Sequence, residues 1–136
     1  MRKILLGAAL LAAAACSKSA PSAKPDEAKI PTLTVDQVDQ ELAAGKAVAI
    51  DCNGEATRKK LGVVPGAVLL SDDDSFQPSE LPADKTKELV FYCANTECGA
   101  SHHAASKALL AGYTKVEVMP DGIAGWVKAG KKTQSL

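Results

Sequence analysis

Short apolar runs alternate with polar, helix-like stretches along most of this 136-residue chain. Four of the apolar runs have the length of buried strands, and they occupy residues 47–51, 67–70, 88–92 and 115–119. Continuous apolar runs of this length are typical of strands that are covered on both faces, as in parallel sheets. Because helix-like stretches separate the runs, the pattern predicts an α/β fold with a mostly parallel central sheet flanked by helices.

The stretches between the strands carry the signals of helix starts and stops. Thr34 is a candidate N-cap, and Val35, Val38 and Leu42 follow it at helical spacing until Gly45. Further helical stretches are predicted at residues 53–61, 78–81, 100–111 and 123–129. The helix at 100–111 follows the third strand across a short polar loop, so strand, loop and helix form one unit.

The N-terminus has the composition of an export signal rather than of the fold. Arg2 and Lys3 precede an apolar segment too short to span a membrane, and small residues run directly into Cys16. Residues 1–15 therefore resemble a bacterial lipoprotein signal, with Cys16 as the lipidated first residue of the mature protein. The alternative is an ordinary secretory signal cleaved nearby. Residues 16–31, rich in Ser, Ala, Lys and Pro, are predicted to form a flexible tether.

A lipid anchor at Cys16 implies a location in the cell envelope. Ser17, rather than an Asp, follows the anchor, which favours the outer membrane with the domain facing the periplasm. In that oxidising compartment, disulfides among the remaining thiols Cys52, Cys93 and Cys98 can persist.

The remainder of the chain is long enough for one compact domain, which we place at residues 32–132 with a C-terminal tail at 133–136. The chain has 16 basic and 16 acidic residues, and no basic patch stands out. Nucleic-acid binding is therefore not expected. We expect a monomer.

Cys93 is the strongest candidate for chemistry because it ends a buried strand directly before the loop and the long helix. The amides of such a loop and the positive end of the helix dipole both favour a thiolate over a thiol. Asp51 also ends a predicted strand, and the carboxyl ends of parallel strands meet at one edge of a sheet. We therefore place Asp51 and Cys93 in one shared site. The alternative is a structural cysteine buried at a strand end.

Several other residues belong to this predicted site. Cys98 is the second candidate for a catalytic role, and Asp51, Ser101 and His102 are supporting candidates. His102 and His103 fall in the first helical turn, where a neutral imidazole could relay protons, although exposed and idle histidines are the alternative. The active-site loop also contains Ala94, Asn95, Thr96, Glu97 and Gly99.

Five separated motifs together resemble the rhodanese-like domain family, over roughly residues 32–132. They are Asp51 at its strand end, residues 62–67 with their Pro-Gly turn, Phe91-Tyr92-Cys93 with the following loop, residues 112–116, and residues 122–130. The resemblance implies an α/β fold in which the loop wraps around the Cys93 thiol. It also implies sulfurtransferase chemistry, in which Cys93 accepts a sulfane sulfur, holds it as a persulfide and passes it to an acceptor.

The loop departs from many active members of that family, which carry Arg or Lys there to hold an anionic donor. This loop has no cation and one acid, Glu97, so we expect a persulfide or polysulfide donor rather than thiosulfate. The missing Arg also argues against the related phosphatase chemistry. The partners expected are thus a small sulfur donor, a thiol acceptor and, through the lipid, a membrane. No cofactor and no metal are expected.

Cys98 adds a second thiol five residues after Cys93. A disulfide needs Cα atoms within about 7 Å, which a curled loop permits. Cys98 could then attack a Cys93 persulfide and release hydrosulfide, or resolve a mixed disulfide. Three functions stay open: a sulfane-sulfur transferase, a thiol–disulfide redox protein using the Cys93/Cys98 pair, and a non-catalytic binding module.

Overall fold

A computed structural model describes residues 23–136 of the chain. The predicted signal at residues 1–15 and the lipidation candidate Cys16 lie outside the described residues. Within the described part, no helix is long and apolar enough to cross a membrane.

The described residues form an α/β fold, as the sequence predicts. Its helices and strands, in chain order, are α1 (Val35–Ala43), β1 (Ala47–Asp51), α2 (Glu55–Leu61), β2 (Val68–Leu69), β3 (Glu88–Tyr92), α3 (Ala100–Leu110), β4 (Val116–Val118) and α4 (Gly122–Lys128). Short 3-10 turns add Glu27–Lys29 and Pro78–Glu80. The four strands make one parallel sheet in the order β2-β1-β3-β4. The prediction of a mostly parallel sheet flanked by helices is confirmed.

The order of the strands changes direction between β1 and β3. From β1 the chain moves to β2 on one side, and it then crosses over to β3 on the other side. In open parallel sheets, functional crevices form beyond the carboxyl ends of the strands at such a switch point. Cys52 follows β1 and Cys93 follows β3, and the Cys52 N–H donates to the Tyr92 carbonyl oxygen at 2.9 Å. Both cysteines therefore lie at the switch point.

Helices cover both faces of the sheet. On one face α3 packs through the small side chains Ala104, Ala105 and Ala108, which allow close approach to Leu89 and Phe91. On the opposite face, α1 and α4 contribute apolar side chains that pack on the sheet. These are Val35, Val38, Ile123 and Trp126, against Ala49, Val90 and Tyr92. Side chains alternate along a strand, so the side chains of adjacent residues enter different cores.

The start of α1 forms as predicted. The Thr34 hydroxyl accepts a hydrogen bond from the Gln37 N–H at 3.3 Å, and the Gln37 side chain accepts one from the Thr34 N–H at 2.9 Å. This reciprocal pair is a capping box, which satisfies two amides that the first helical turn leaves without partners. Val35 and Val38 then lie in the core.

Two of the predicted strands differ from the structure. The run at residues 67–70 was expected to form a buried strand, but β2 comprises only Val68 and Leu69, and Leu69 is 36% exposed. The reason is position: β2 pairs with β1 alone and forms an edge of the sheet, so its apolar side chains are only partly covered. β4 is also shorter than the predicted 115–119. Its pairing with β3 runs only from Val116, opposite Leu89, to Val118, opposite Phe91.

The packed part of the chain extends beyond both predicted boundaries of the domain. Within the predicted tether, Ile30 is buried and the Pro31 carbonyl accepts a hydrogen bond from the Val118 N–H at 2.9 Å. At the other end, Gln134 and Val63 exchange two backbone hydrogen bonds of 2.8 and 2.9 Å. Residues 23–31 and the C-terminal tail thus include segments held on the domain, which composition alone does not indicate.

Candidate functional site

Cys93 lies immediately after β3, at the switch point of the sheet. Its side chain enters the core between the sheet and α3 and is only 1% exposed. Tyr92, the preceding residue, enters the opposite core, where its hydroxyl accepts a hydrogen bond from the Val64 N–H at 3.0 Å. The two cores therefore fix the backbone direction at Cys93, and its sulfur faces the start of α3.

The sulfur atoms of Cys93 and Cys98 form a disulfide, with the two Cα atoms 6.3 Å apart. Within the loop, the Cys98 N–H donates to the Asn95 carbonyl at 3.2 Å, and the Glu97 N–H donates to the Asn95 side chain at 3.0 Å. Asn95 thus holds the turn that curls Cys98 back over Cys93. The Cα separation lies in the range that disulfides require.

Ser101 brings a hydroxyl group to the Cys93 sulfur. Ser101 is in the first turn of α3, is 1% exposed, and its Oγ lies 3.5 Å from the Cys93 Sγ. A buried hydroxyl at that distance can donate to a thiolate, and the start of α3 adds the positive end of the helix dipole. The sequence-predicted supporting role of Ser101 therefore has a geometric basis.

The first turn of α4 anchors the other side of the loop. The Ile123 N–H donates to the Cys93 carbonyl and the Ala124 N–H donates to the Ala94 carbonyl, both at 2.9 Å. Gly122 precedes them with a φ of 62°. The sequence alone does not predict these contacts, although Gly122 lies in the turn directly before the last predicted helix, and a glycine there is a signal of unusual backbone geometry.

Asp51 does not join Cys93 in one site, which corrects the sequence prediction. Asp51 pairs with Tyr92 across β1 and β3 and lies on the face opposite Cys93. Its Oδ1 accepts hydrogen bonds from the Asn53 N–H at 2.7 Å and from Arg58 Nε at 3.0 Å. Arg58 also donates to the Asp51 and Leu70 carbonyls, at 3.1 and 2.8 Å. Asp51 thus stabilises the ends of β1 and β2.

Cys52 is a free thiol in the same core as the Cys93 side chain. Burial, followed by the nearby charges of Asp51 and Asp73, raises the pKa of the Cys52 thiol far above its ordinary value. A thiol that stays protonated is a poor nucleophile. Cys52 is therefore a core residue rather than a second nucleophile.

The two histidines of α3 differ in their contacts. Among the side-chain hydrogen bonds of residues 23–136, none joins His102 to the Cys93 loop, so no contact supports the role predicted for His102. His103 Nε2 lies 2.9 Å from the carboxylate of Asp74, and its Nδ1 lies 3.4 Å from that of Glu27. His103 therefore connects α3 to two neighbouring segments of the surface.

A cavity of about 600 Å³ opens beside the loop, between the start of α1 and α4. Lys128 contributes an ammonium group to its lining, and Asp36 and Asp121 contribute carboxylates. Asn95 and Thr96 bring the active-site loop to its rim. The volume suits a small ligand. In the described part of the chain, no group of three or more His, Cys, Asp or Glu side chains could hold a metal ion.

A family model described as the rhodanese-like domain matches residues 34–129, which span most of the chain. The chain belongs to the rhodanese-like domain family. The match includes every strand of the sheet and the whole Cys93 loop. No curated protein matches the chain.

Solved structures show the same fold at low sequence identity. A rhodanese-like domain from Anabaena has a TM-score of 0.60 and 19% identity, covering 78% of this chain and 80% of its own. A human single-domain sulfurtransferase has a TM-score of 0.57 and 21% identity, covering 72% and 96%. A Pseudomonas aeruginosa thiosulfate sulfurtransferase has a TM-score of 0.62 and 22% identity, covering 80% of this chain but 21% of that one. These likenesses concern the fold.

In this rhodanese-like domain, sequence reasoning found the thiols but not all of their surroundings. The helix start and Ser101 follow from the strand-loop-helix unit around Cys93. Lys128, which lines the neighbouring cavity, had no local signal because it lies in a helix 35 residues away along the chain. Only the packing of α4 against the loop brings it near.

Proposed function

We propose that the reduced protein transfers sulfane sulfur through a persulfide on Cys93. The observation that carries the proposal is the position of Cys93: its sulfur lies at the switch point of the sheet, 3.5 Å from the Ser101 hydroxyl in the first turn of α3. The thiolate attacks the outer sulfur of a persulfide donor, RSS⁻. The bond between the two donor sulfurs breaks, RS⁻ leaves, and Cys93 carries the persulfide.

The surroundings of Cys93 stabilise its thiolate, which burial by itself would destabilise relative to the neutral thiol. Burial alone raises the pKa of a thiol, as it does for Cys52. At Cys93 the Ser101 hydroxyl and the start of α3 act in the opposite direction, since both stabilise negative charge on sulfur. Reduction also removes the bonded sulfur of Cys98 from one side of Cys93, which opens that side to a donor.

Cys98 provides one route by which the Cys93 persulfide releases its outer sulfur. Its thiolate attacks the inner sulfur of the Cys93 persulfide, the disulfide forms, and the outer sulfur leaves as hydrosulfide. When an external thiolate attacks the outer sulfur instead, the sulfur passes to that acceptor and Cys93 is regenerated. The Cα separation of 6.3 Å between Cys93 and Cys98 suits the first route.

The donor is expected to be a persulfide or a polysulfide. Of the charged side chains at the cavity beside the loop, Asp36 and Asp121 are acidic and Lys128 is basic, and the exposed Glu97 adds a further negative charge to the loop. A dianion such as thiosulfate is therefore repelled more strongly than a singly charged persulfide. Relatives of this fold that carry the name sulfurtransferase support the reaction class.

Mass spectrometry of the reduced full chain, after exposure to glutathione persulfide or inorganic polysulfide, tests the proposal. We expect the mass of one added sulfur atom on the Cys93 peptide of Cys98→Ser, in which no second thiol can expel that sulfur as hydrosulfide. Cys98→Ser combined with Cys52→Ser should load equally, and Cys98→Ser combined with Cys93→Ser should not load. In the wild type, the same donors should release hydrosulfide and leave the Cys93–Cys98 disulfide. A Cys98→Ser variant that gains no sulfur on Cys93 from any donor would falsify the persulfide function and favour a binding module.

The disulfide itself favours a second function, thiol–disulfide exchange through the Cys93/Cys98 pair. In that case the pair would titrate as a two-electron couple against glutathione buffers, and sulfur donors would leave no persulfide on Cys93. Equilibration in such buffers, followed by alkylation and mass measurement, separates the two functions.

We also propose that the protein is anchored in the cell envelope through a lipid on Cys16, at the outer membrane and facing the periplasm. The small residues that run into Cys16 and the Ser/Pro-rich segment after it support this location. In a bacterial host the full-length chain should partition with membranes. Cys16→Ser should block processing or release the protein, and equal soluble export of both forms contradicts the anchor.

A further inference from the structure

The two cysteines of the disulfide differ in their exposure to solvent. Cys93 is 1% exposed, whereas Cys98 is partly exposed and lies between the exposed residues Glu97 and Gly99. The backbone on the Cys93 side is also covered by α4, whose first amides bind the carbonyls of Cys93 and Ala94. Of the two cysteines, Cys98 is therefore the more accessible to an external thiolate in the oxidised protein, and Cys93 is shielded.

The two sulfurs also differ as leaving groups. When Cys98 is attacked, the thiolate that leaves is Cys93, with the Ser101 hydroxyl 3.5 Å from its sulfur and the start of α3 beside it. When Cys93 is attacked, the thiolate that leaves is Cys98, whose neighbour in the chain is the acidic residue Glu97 and for which no hydroxyl contact is present among the described residues. A better stabilised thiolate leaves faster in disulfide exchange. Access and leaving-group stability thus favour the same direction.

We propose that the oxidised protein accepts external thiolates at Cys98 and expels Cys93 as the thiolate. The attacking RS⁻ forms a new bond to the Cys98 sulfur, the Cys93–Cys98 bond breaks, and its electron pair goes to Cys93. The product is an RS–Cys98 mixed disulfide with a free Cys93 thiolate. A second RS⁻ then attacks the external sulfur of the mixed disulfide, which releases RSSR and the reduced pair.

Hydrosulfide, HS⁻, is the smallest sulfur nucleophile that can attack Cys98 in the same way, and it gives a different product. Attack of HS⁻ on Cys98 leaves a persulfide, Cys98–SSH, and the Cys93 thiolate. The disulfide is reduced as the sulfide sulfur is oxidised to sulfane sulfur, so no other oxidant is needed. The oxidised protein would thereby generate sulfane sulfur on Cys98, beside the thiolate that handles it in the proposed function.

A peptide-mapping experiment distinguishes the two directions because Glu97 lies between the two cysteines. The full chain, carrying Cys16→Ser so that the N-terminal thiol does not react, is oxidised and then mixed with limiting glutathione. Acid quenching at successive times stops exchange, and a glutamate-specific protease active at acidic pH cleaves after Glu97. Cys93 and Cys98 then lie on separate peptides.

We expect glutathione on the Cys98 peptide in about tenfold excess over the Cys93 peptide at the earliest times. Cys52→Ser should leave this ratio unchanged. Ser101→Ala, which removes the hydroxyl near the leaving sulfur, should slow adduct formation severalfold without moving the adduct to Cys93. With hydrosulfide in place of glutathione, the added sulfur atom should also lie on the Cys98 peptide.

An adduct found mainly on Cys93, or equally on both peptides, overturns the proposal. So does the absence of any adduct or reduction during a time in which the linear disulfide of 2-mercaptoethanol exchanges with the same thiol. No sulfane-sulfur donor is present in the experiment, and its readout is the position of the adduct. Failure here therefore leaves the Cys93 persulfide test intact, and the two proposals stand or fall separately.

Discussion

The backbone of Gly122 lies so close to Cys93 that a Cβ on Gly122 would be 2.5 Å from the Cys93 carbonyl oxygen. The carbonyl carbon and oxygen of Ala94 would lie 2.7 and 2.8 Å from the same Cβ. The contact exists because the first amides of α4 bind these two carbonyls. Gly122 therefore sets the distance between α4 and the loop that holds the disulfide.

Gly122→Ala should impair both stability and sulfur loading. Its φ of 62° would cost an alanine about 1–2 kcal/mol, and the backbone contact adds to that cost because neither carbonyl can move without breaking its hydrogen bond to α4. Gly45→Ala is the matched control, since Gly45 has a φ of 68° but nothing within 4 Å of the added Cβ. Denaturant unfolding and persulfide loading on Cys93 measure the two effects. Equal losses in both variants contradict a role for the contact.

The Asp51–Arg58 ion pair should contribute strongly to stability and little to chemistry. The Asp51 side chain is fully buried and that of Arg58 is 12% exposed, so Asp51→Ala leaves a guanidinium group without its carboxylate. Removing one partner of a buried pair costs about 3–5 kcal/mol. Glu55→Gln, which breaks an exposed pair with Lys59 on the same helix, should cost less than about 1 kcal/mol. Urea unfolding of both variants checks the difference, and similar costs would contradict it.

The sequence predicted the elements around Cys93 and Asp51 better than it predicted the contacts between those elements. The strand at 88–92, the thiols and the helix after the loop follow from local pattern, because buried strands and helix starts have local signals. Asp51 shows the limit of that reasoning: its place at a strand end was correctly predicted, but not the face on which its side chain lies. The face depends on the register of β1 against β3 and on the contact between Asp51 and Arg58 of α2. The sequence of one strand does not specify that register.

The position of β2 shows the same limit. An apolar run predicts a strand, but the order of strands decides whether the run becomes a central strand or an edge. Lys128 enters the surroundings of the site only because α4 packs against the loop. Contacts between distant segments therefore carry most of what the sequence could not predict here.

Glu97→Arg should raise the rate with thiosulfate about tenfold at low salt, because an added cation favours a dianionic donor. Glu97 is exposed, so the effect should shrink as salt screens the charges. Glu97→Gln removes the negative charge without adding a positive one and should give an intermediate rate. Thiosulfate consumption measured over a range of ionic strength checks this order. Efficient turnover of thiosulfate by the wild type contradicts the argument from charge.

Glu117→Gln should stabilise the protein at neutral pH. Among the described residues, Glu117 Oε2 is a buried side-chain oxygen without a hydrogen-bond partner, and burial followed by the nearby Glu88 raises the pKa of the Glu117 carboxyl. A raised pKa in the folded state means that folding favours the protonated form. The ionised form therefore costs stability as the pH rises through that pKa, and glutamine removes this cost.

The gain from Glu117→Gln should be about 3 °C in Tm at neutral pH, and it should decline as the pH falls through the raised pKa. Below the ordinary glutamate value of 4.5, the carboxyl is protonated in both the folded and the unfolded chain, so the variant and the wild type should converge. Glu55→Gln, whose carboxylate is exposed and paired with Lys59, should give no gain at any pH. Thermal unfolding across that pH range measures all three proteins. A gain that is independent of pH would mean that packing, rather than the charge of Glu117, limits stability at this edge of the sheet.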